Sequence, residues 1–141
     1  MKTTGYARSV TRVLFVCIGN SGRSVMAERL LARAADGRHE ARSAGAVPGD
    51  TVHPEVLEAL SEIGIEASDH VPHKLDEDDV AWAEVVVAAC DGACPVVPGK
   101  RYVNWGLADP MGRPLDEVRA IRDEIARRVD ELVGELDARA A

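Results

Sequence analysis

A single doubly wound α/β domain, with a central parallel sheet flanked by helices, is what this sequence predicts, and three observations carry the expectation. Arg12 to Val16 and Glu84 to Ala89 are short apolar runs of the kind strands show when both faces are buried. Segments with helical spacing separate and follow them, so strands and helices alternate along the chain. The 141 residues, 46% of them apolar, suit one core, and no repeat, low-complexity tract or composition break divides them.

In chain order, Met1 to Thr11 is polar and mixed and is expected to be a flexible tail, with residues 12–141 forming the domain. The first strand, Arg12 to Val16, leads to Cys17. Ser24 opens a helix over Val25 to Ala35 with Met26, Leu30, Leu31 and Ala34 on one apolar face, and Asp36-Gly37 ends it. Glu40 to Ser43 reads as a weak strand, and Ala44 to Thr51, with its glycines and proline, as a loop. His53-Pro54 leads a helix through Val56, Leu57, Leu60 and Ile63 to a stop at Gly64. Asp69 to Lys74 is turn-rich, and Asp76 to Ala83 is a short acidic helix. After the Glu84 to Ala89 strand, Arg101 to Trp105 supplies another. Leu115 to Leu136 sets Val118, Ile121, Ile125, Val129, Leu132, Val133 and Leu136 at helical spacing, which predicts a long final helix on the sheet.

The chemistry concentrates between the first strand and the first helix, in Cys17-Ile18-Gly19-Asn20-Ser21-Gly22-Arg23-Ser24, a C-x5-R-S pattern. A loop closing onto a helix N-terminus turns backbone N–H groups inward and adds the positive end of the helix dipole, which makes a cradle for a tetrahedral oxyanion without a metal. Gly19 and Gly22 are expected to take the positive-φ turns. Arg23 adds a planar fork that grips two oxygens at once. Cys17 lies beneath the anion, where those donors favour the thiolate over the thiol. A cysteine after Val-Leu-Phe-Val can also be a plain strand-end residue. Strand, cysteine, two glycines, arginine and helix start in this order favour the cradle.

A net charge of −7 argues against nucleic acid or an anionic membrane surface as partner. No apolar run reaches spanning length and the N-terminal segment lacks the apolar core of a signal peptide, so a cytoplasmic protein is expected. Three cysteines point to reactive thiols rather than a static disulfide framework. Fourteen Arg against three Lys reflects genome composition more than function. His39, His53, His70 and His73 are scattered, and Cys90-x3-Cys94 supplies at most half of a zinc site, so no metal is expected. No dinucleotide fingerprint or P-loop lysine is present.

The Cys17 to Ser24 loop resembles the phosphate-binding loop of low-molecular-weight protein tyrosine phosphatases and of the arsenate reductases that share their fold. Its place near the N-terminus, with no histidine before the cysteine, is that family's arrangement. The likeness continues through Ala44-Gly45, the Cys90 to Cys94 region, Pro98 to Tyr102, Trp105 and Asp109-Pro110. It implies the phosphatase-like fold, with Cys17 as nucleophile, residues 18–24 as oxyanion-binding loop and Asp109 as the acid that protonates the leaving oxygen. Proton donation of that kind contributes about 10²–10⁴ in rate.

Within the family, phosphatases usually carry tyrosines directly after the Asp-Pro. This chain reads Asp109-Pro-Met-Gly-Arg-Pro114. Cys90 and Cys94 stand where the resembling reductases place added cysteines. Arsenate reduction is therefore the favoured expectation, with phosphate or sulfate as competing oxyanions. Phosphomonoester hydrolysis is the alternative, and thiol-based arsenite binding ranks below both. The resemblance implies no tightly bound cofactor, only an external thiol reductant. Thioredoxin-coupled relatives space the cysteine pair more widely, so the shorter C-x3-C leans slightly toward mycothiol with a mycoredoxin.

Overall fold

The computed structural model describes residues 10–90 and 99–140. Four strands, β1 (Arg12–Cys17), β2 (Glu40–Gly45), β3 (Val85–Ala88) and β4 (Arg101–Asn104), form one sheet in the order β2-β1-β3-β4. Every pairing is parallel. The α/β expectation therefore holds, and the strand order reverses direction beside β1. In open parallel sheets ligands gather at such a switch point, outside the carboxyl ends of the strands. Cys17 closes β1 at that point, and Cys90 lies two residues past the end of β3.

The apolar runs are continuous because both faces of the sheet are covered. Val13, Phe15, Val85 and Val87 face a core shared with α1 (Arg23–Ala35), α2 (Pro54–Ser61) and α4 (Leu115–Ala140). Leu14, Val16, Val86 and Ala88 face the other way, toward Leu75, Tyr102 and the Val80 and Trp82 side chains of α3 (Glu77–Trp82). Phe15 and Trp105 meet at 5.7 Å between ring centroids, tying the β4 end to the centre of the sheet. Among the described residues no helix is long and apolar enough to cross a membrane.

Local chemistry sets the helix ends. Asp36 caps α1 in the left-handed conformation, φ 46°, with its N–H on Ala32 O. The last turn of α2 tightens through Ile63 N to Leu60 O and Gly64 N to Ser61 O, so the helix stops before Ile63. Asp76 and Asp79 form a reciprocal capping box at α3. Asp79 also accepts from His73 Nε2 at 2.7 Å, and Arg42 lies 3.7 Å from its other oxygen. That His73-Asp76-Asp79 cluster is accounted for by helix capping and ion pairing.

On α4 one position departs from the predicted face: Arg122 is buried and Ile121 only partly so. The guanidinium can be buried because Nη1 donates to Ala59 O at 2.8 Å and Glu62 Oε1 at 3.0 Å, while Nε donates to Asp123 Oδ1 at 2.9 Å. Near its C-terminus Asp137 accepts from Arg38 Nη2 at 2.9 Å and from His39 Nε2 at 2.9 Å. The Arg38 hydrogen bond first, then that of His39, lowers the Asp137 carboxyl from 3.8 to about 2. A carboxyl depressed in the fold favours the folded state above its unfolded value, and the contribution fades as pH falls through the folded one. Asp137→Asn should therefore lower Tm near neutral pH, with the gap to wild type closing between about pH 4 and about pH 2. A gap that stays constant across that window would remove Asp137 from the acid response.

Candidate active site

The loop after β1 is shaped by what its carbonyl groups do. Those of Cys17, Ile18, Gly19 and Ser21 accept from the N–H groups of Ala46, Val47, Gly49 and His53 at 2.8–3.1 Å. With carbonyls drawn outward onto the segment after β2, the N–H groups of Gly19, Ser21 and Gly22 meet no protein acceptor among the described residues. Inward N–H groups of this kind can meet an anion. Gly45 permits the close approach: a Cβ there would sit 2.7 Å from Ile18 O and 2.9 Å from Asn20 N.

The positive-φ expectation for Gly19 and Gly22 is corrected. Neither has positive φ; Asn20 takes the left-handed conformation, φ 50°. Asparagine tolerates it, and here the side chain is held on several sides. Its Oδ1 accepts from His73 N at 2.9 Å, which identifies that atom as the oxygen and leaves Nδ2 to donate to Ser24 Oγ at 2.8 Å. The same oxygen contacts His70 Nε2 at 3.0 Å, so that ring nitrogen carries the proton. Burial pushes the His70 imidazole toward its neutral form, with Glu28 opposing. Gly22 has a different purpose: a Cβ there would lie 2.8 Å from Pro110 Cγ, so its missing side chain lets the Asp109-Pro110 turn close over the loop.

Cys17 is buried and is a free thiol. Asn20 N donates to its sulfur at 3.2 Å, and Ser24 Oγ lies 2.9 Å away. With Ser24 already accepting from Asn20, its hydroxyl proton is available to a thiolate at Cys17. The helix α1 begins at Arg23, one residue before the predicted Ser24. The buried Arg23 donates from Nη1 to Leu107 O at 2.9 Å, and its Nη2 lies 3.6 Å from Asp109 Oδ2. Asp109 is half-exposed, and Met111 N donates to its Oδ1 at 2.9 Å.

These groups share a cavity of about 230 Å³, lined by Cys17, Arg23, Asp109 and His53, with Ile18, Val47 and Met111 exposed at its rim. A larger groove of about 380 Å³ between β4 and α4 carries no cysteine, and its arginines include Arg101, paired with Glu135, and Arg128, paired with Glu124.

Of the residues singled out from sequence, Cys17 to Ser24 and Asp109 come together here. Cys90 is buried in the same core as Cys17 and is disulfide-bonded, whereas Cys94 lies outside the described residues. His53, His70 and the Leu107 carbonyl were not foreseen as neighbours of the site. His53-Pro54 was legible only as a helix start.

Fold and loop together define an α/β protein whose cysteine-and-arginine loop sits at the switch point of a parallel sheet. The chain belongs to the low molecular weight phosphotyrosine protein phosphatase family, whose match spans residues 12–141. Arsenate reductase 2 of Staphylococcus haemolyticus is 33% identical over 122 residues, covering 84% of this chain and 92% of that protein. A thioredoxin-dependent arsenate reductase of Corynebacterium glutamicum superposes with a TM-score of 0.78 at 38% identity. The match covers 92% of this chain but 63% of that one, so this chain spans less than two thirds of its length. An arginine phosphatase of Geobacillus stearothermophilus superposes at 0.82 with 32% identity, covering 92% of this chain and 94% of that one.

Proposed function

We propose that this chain is an arsenate reductase in which Cys17 is the nucleophile, Arg23 and the loop N–H groups hold the oxyanion, and Asp109 is the general acid. The observation that carries the reading is the placement of two cysteines in one core, Cys17 as the last residue of β1 and Cys90 two residues past the end of the adjacent parallel strand β3. Adjacent strands run about 4.8 Å apart. Hydrolysis of a phosphate ester needs only the first cysteine; reduction needs a second thiol. The relatives named arsenate reductase support the same choice.

In the first step the Cys17 thiolate attacks arsenic(V), and a hydroxyl leaves as water with the proton from Asp109. Arg23 and the loop N–H groups balance the charge on the remaining oxygens. A second thiolate then attacks the Cys17 sulfur. The S–S bond forms, the S–As electron pair stays on arsenic, and arsenite departs. We assign the second thiolate to Cys90, with Cys94 passing the disulfide to an external dithiol. Cys90, buried in the same core as Cys17, and the thioredoxin-dependent relative favour this relay with thioredoxin. Mycothiol with mycoredoxin is the competing route, in which the small thiol attacks Cys17 directly.

The deciding experiment mixes purified protein with arsenate and either the thioredoxin or the mycothiol–mycoredoxin system, following NADPH loss. Arsenate-dependent oxidation with thioredoxin is expected. No oxidation with either system, alongside turnover of a phosphomonoester, would return the chain to the phosphatases.

Arg23→Lys is expected to lower kcat/KM for arsenate by about 10²-fold, since a point charge replaces a fork whose two hydrogen bonds follow the anion into the transition state. Both KM and kcat should change. Steady-state kinetics indistinguishable from wild type would remove Arg23 from the cradle.

A further inference from the structure

We propose that His53 is a substrate-binding residue, its imidazole N–H donating to an oxygen of the bound oxyanion beside the contacts made by the loop and Arg23. The proposal rests on reading the Cys17 cavity as an oxyanion site. His53 stands at the N-cap of α2, a position that favours side chains able to accept from the helix N–H groups. It makes no such cap. The backbone does the local work instead: His53 N donates to Ser21 O at 3.0 Å, and His53 O accepts from Val56 N and Leu57 N at 3.0 and 3.1 Å.

The ring turns to the cavity. It lines the space with Cys17, Arg23 and Asp109, and its Cδ2 would lie 3.5 Å from a Cβ on Gly22. Among the described residues no hydrogen bond or ion pair reaches its nitrogens. A polar ring beside an anion cradle, engaged by nothing else, is available to the ligand.

Charge balance gives that ring a reason to be there. With Cys17 as thiolate, Arg23 is the one fixed positive charge among the described residues that line the cavity, and it is shared with Asp109, which lies 3.6 Å from its guanidinium. A dianion entering such a site meets no net positive charge, in a chain that itself carries −7. His53 is the remaining lining side chain that can offer an N–H or a positive charge.

The test measures inorganic phosphate binding by calorimetry and arsenate kinetics for wild type, His53→Phe, His53→Gln and Arg23→Lys. Phenylalanine keeps the ring but has no donor; glutamine restores an N–H. A hydrogen bond to a charged group predicts that His53→Phe weakens phosphate binding about tenfold and raises the arsenate KM in parallel, with kcat within about threefold of wild type. His53→Gln should recover most of the affinity. Wild-type phosphate affinity in His53→Phe, while Arg23→Lys is weakened, would overturn the role of His53 and leave the cradle standing. Equal losses in both His53 variants, with kcat falling alongside, would make the residue structural and also overturn it. No phosphate binding by wild type, or none lost in Arg23→Lys, would overturn the cradle and this inference together.

Discussion

Cys17→Ser is expected to lower arsenate turnover at least about 10³-fold, because a hydroxyl stays protonated where the thiolate is the attacking species. The fold should be unaffected. The side chain is buried and its two polar neighbours, Asn20 N and Ser24 Oγ, meet an oxygen as readily as a sulfur. The cradle survives as well, since the outward carbonyl bonds to Ala46, Val47, Gly49 and His53 do not involve the sulfur. The variant should therefore bind phosphate about as tightly as wild type, melt normally and reduce no arsenate with either thiol system. Turnover within an order of magnitude of wild type would mean that another thiol attacks arsenic, and the role assigned to the loop would fail with it.

Much of this architecture was legible because it is local. Continuous apolar runs reported doubly covered strands, Asp36-Gly37 a helix end, and the C-x5-R spacing a loop closing on a helix. Features set by distant segments were not. Nothing in a lone asparagine says that His73 N and His70 will hold its oxygen across fifty or more positions and fix it in the left-handed region, so the glycines were the natural choice for that conformation. Arg122 reads as a solvated helix residue until Ala59 O and Glu62 are placed beside it. His53 was visible as punctuation before Pro54, but its nearness to Cys17 depends on the segment after β2 folding back along the loop.

Replacing Cys90 separates the two electron routes. Under the relay, Cys90→Ser leaves the Cys17 adduct with no internal thiolate to attack its sulfur, so the enzyme should release no more than about one arsenite per chain with thioredoxin, a loss of at least about 10²-fold in steady-state rate. Serine is close to cysteine in size but removes the disulfide at Cys90 and puts a hydroxyl in an apolar core, so the melting temperature is read beside the kinetics to separate lost chemistry from lost stability. Cys94→Ser should behave differently: Cys90 still attacks, and the protein accumulates a Cys17 to Cys90 disulfide that thioredoxin reduces slowly because both cysteines are buried. Mass spectrometry of the tryptic digest reads that bridge directly. Under the mycothiol route a small thiol reaches Cys17 through the open cavity, both variants keep most of their turnover with mycoredoxin, and a mixed disulfide at Cys17 replaces the internal one. Full thioredoxin-linked turnover in Cys90→Ser would eliminate the relay through Cys90.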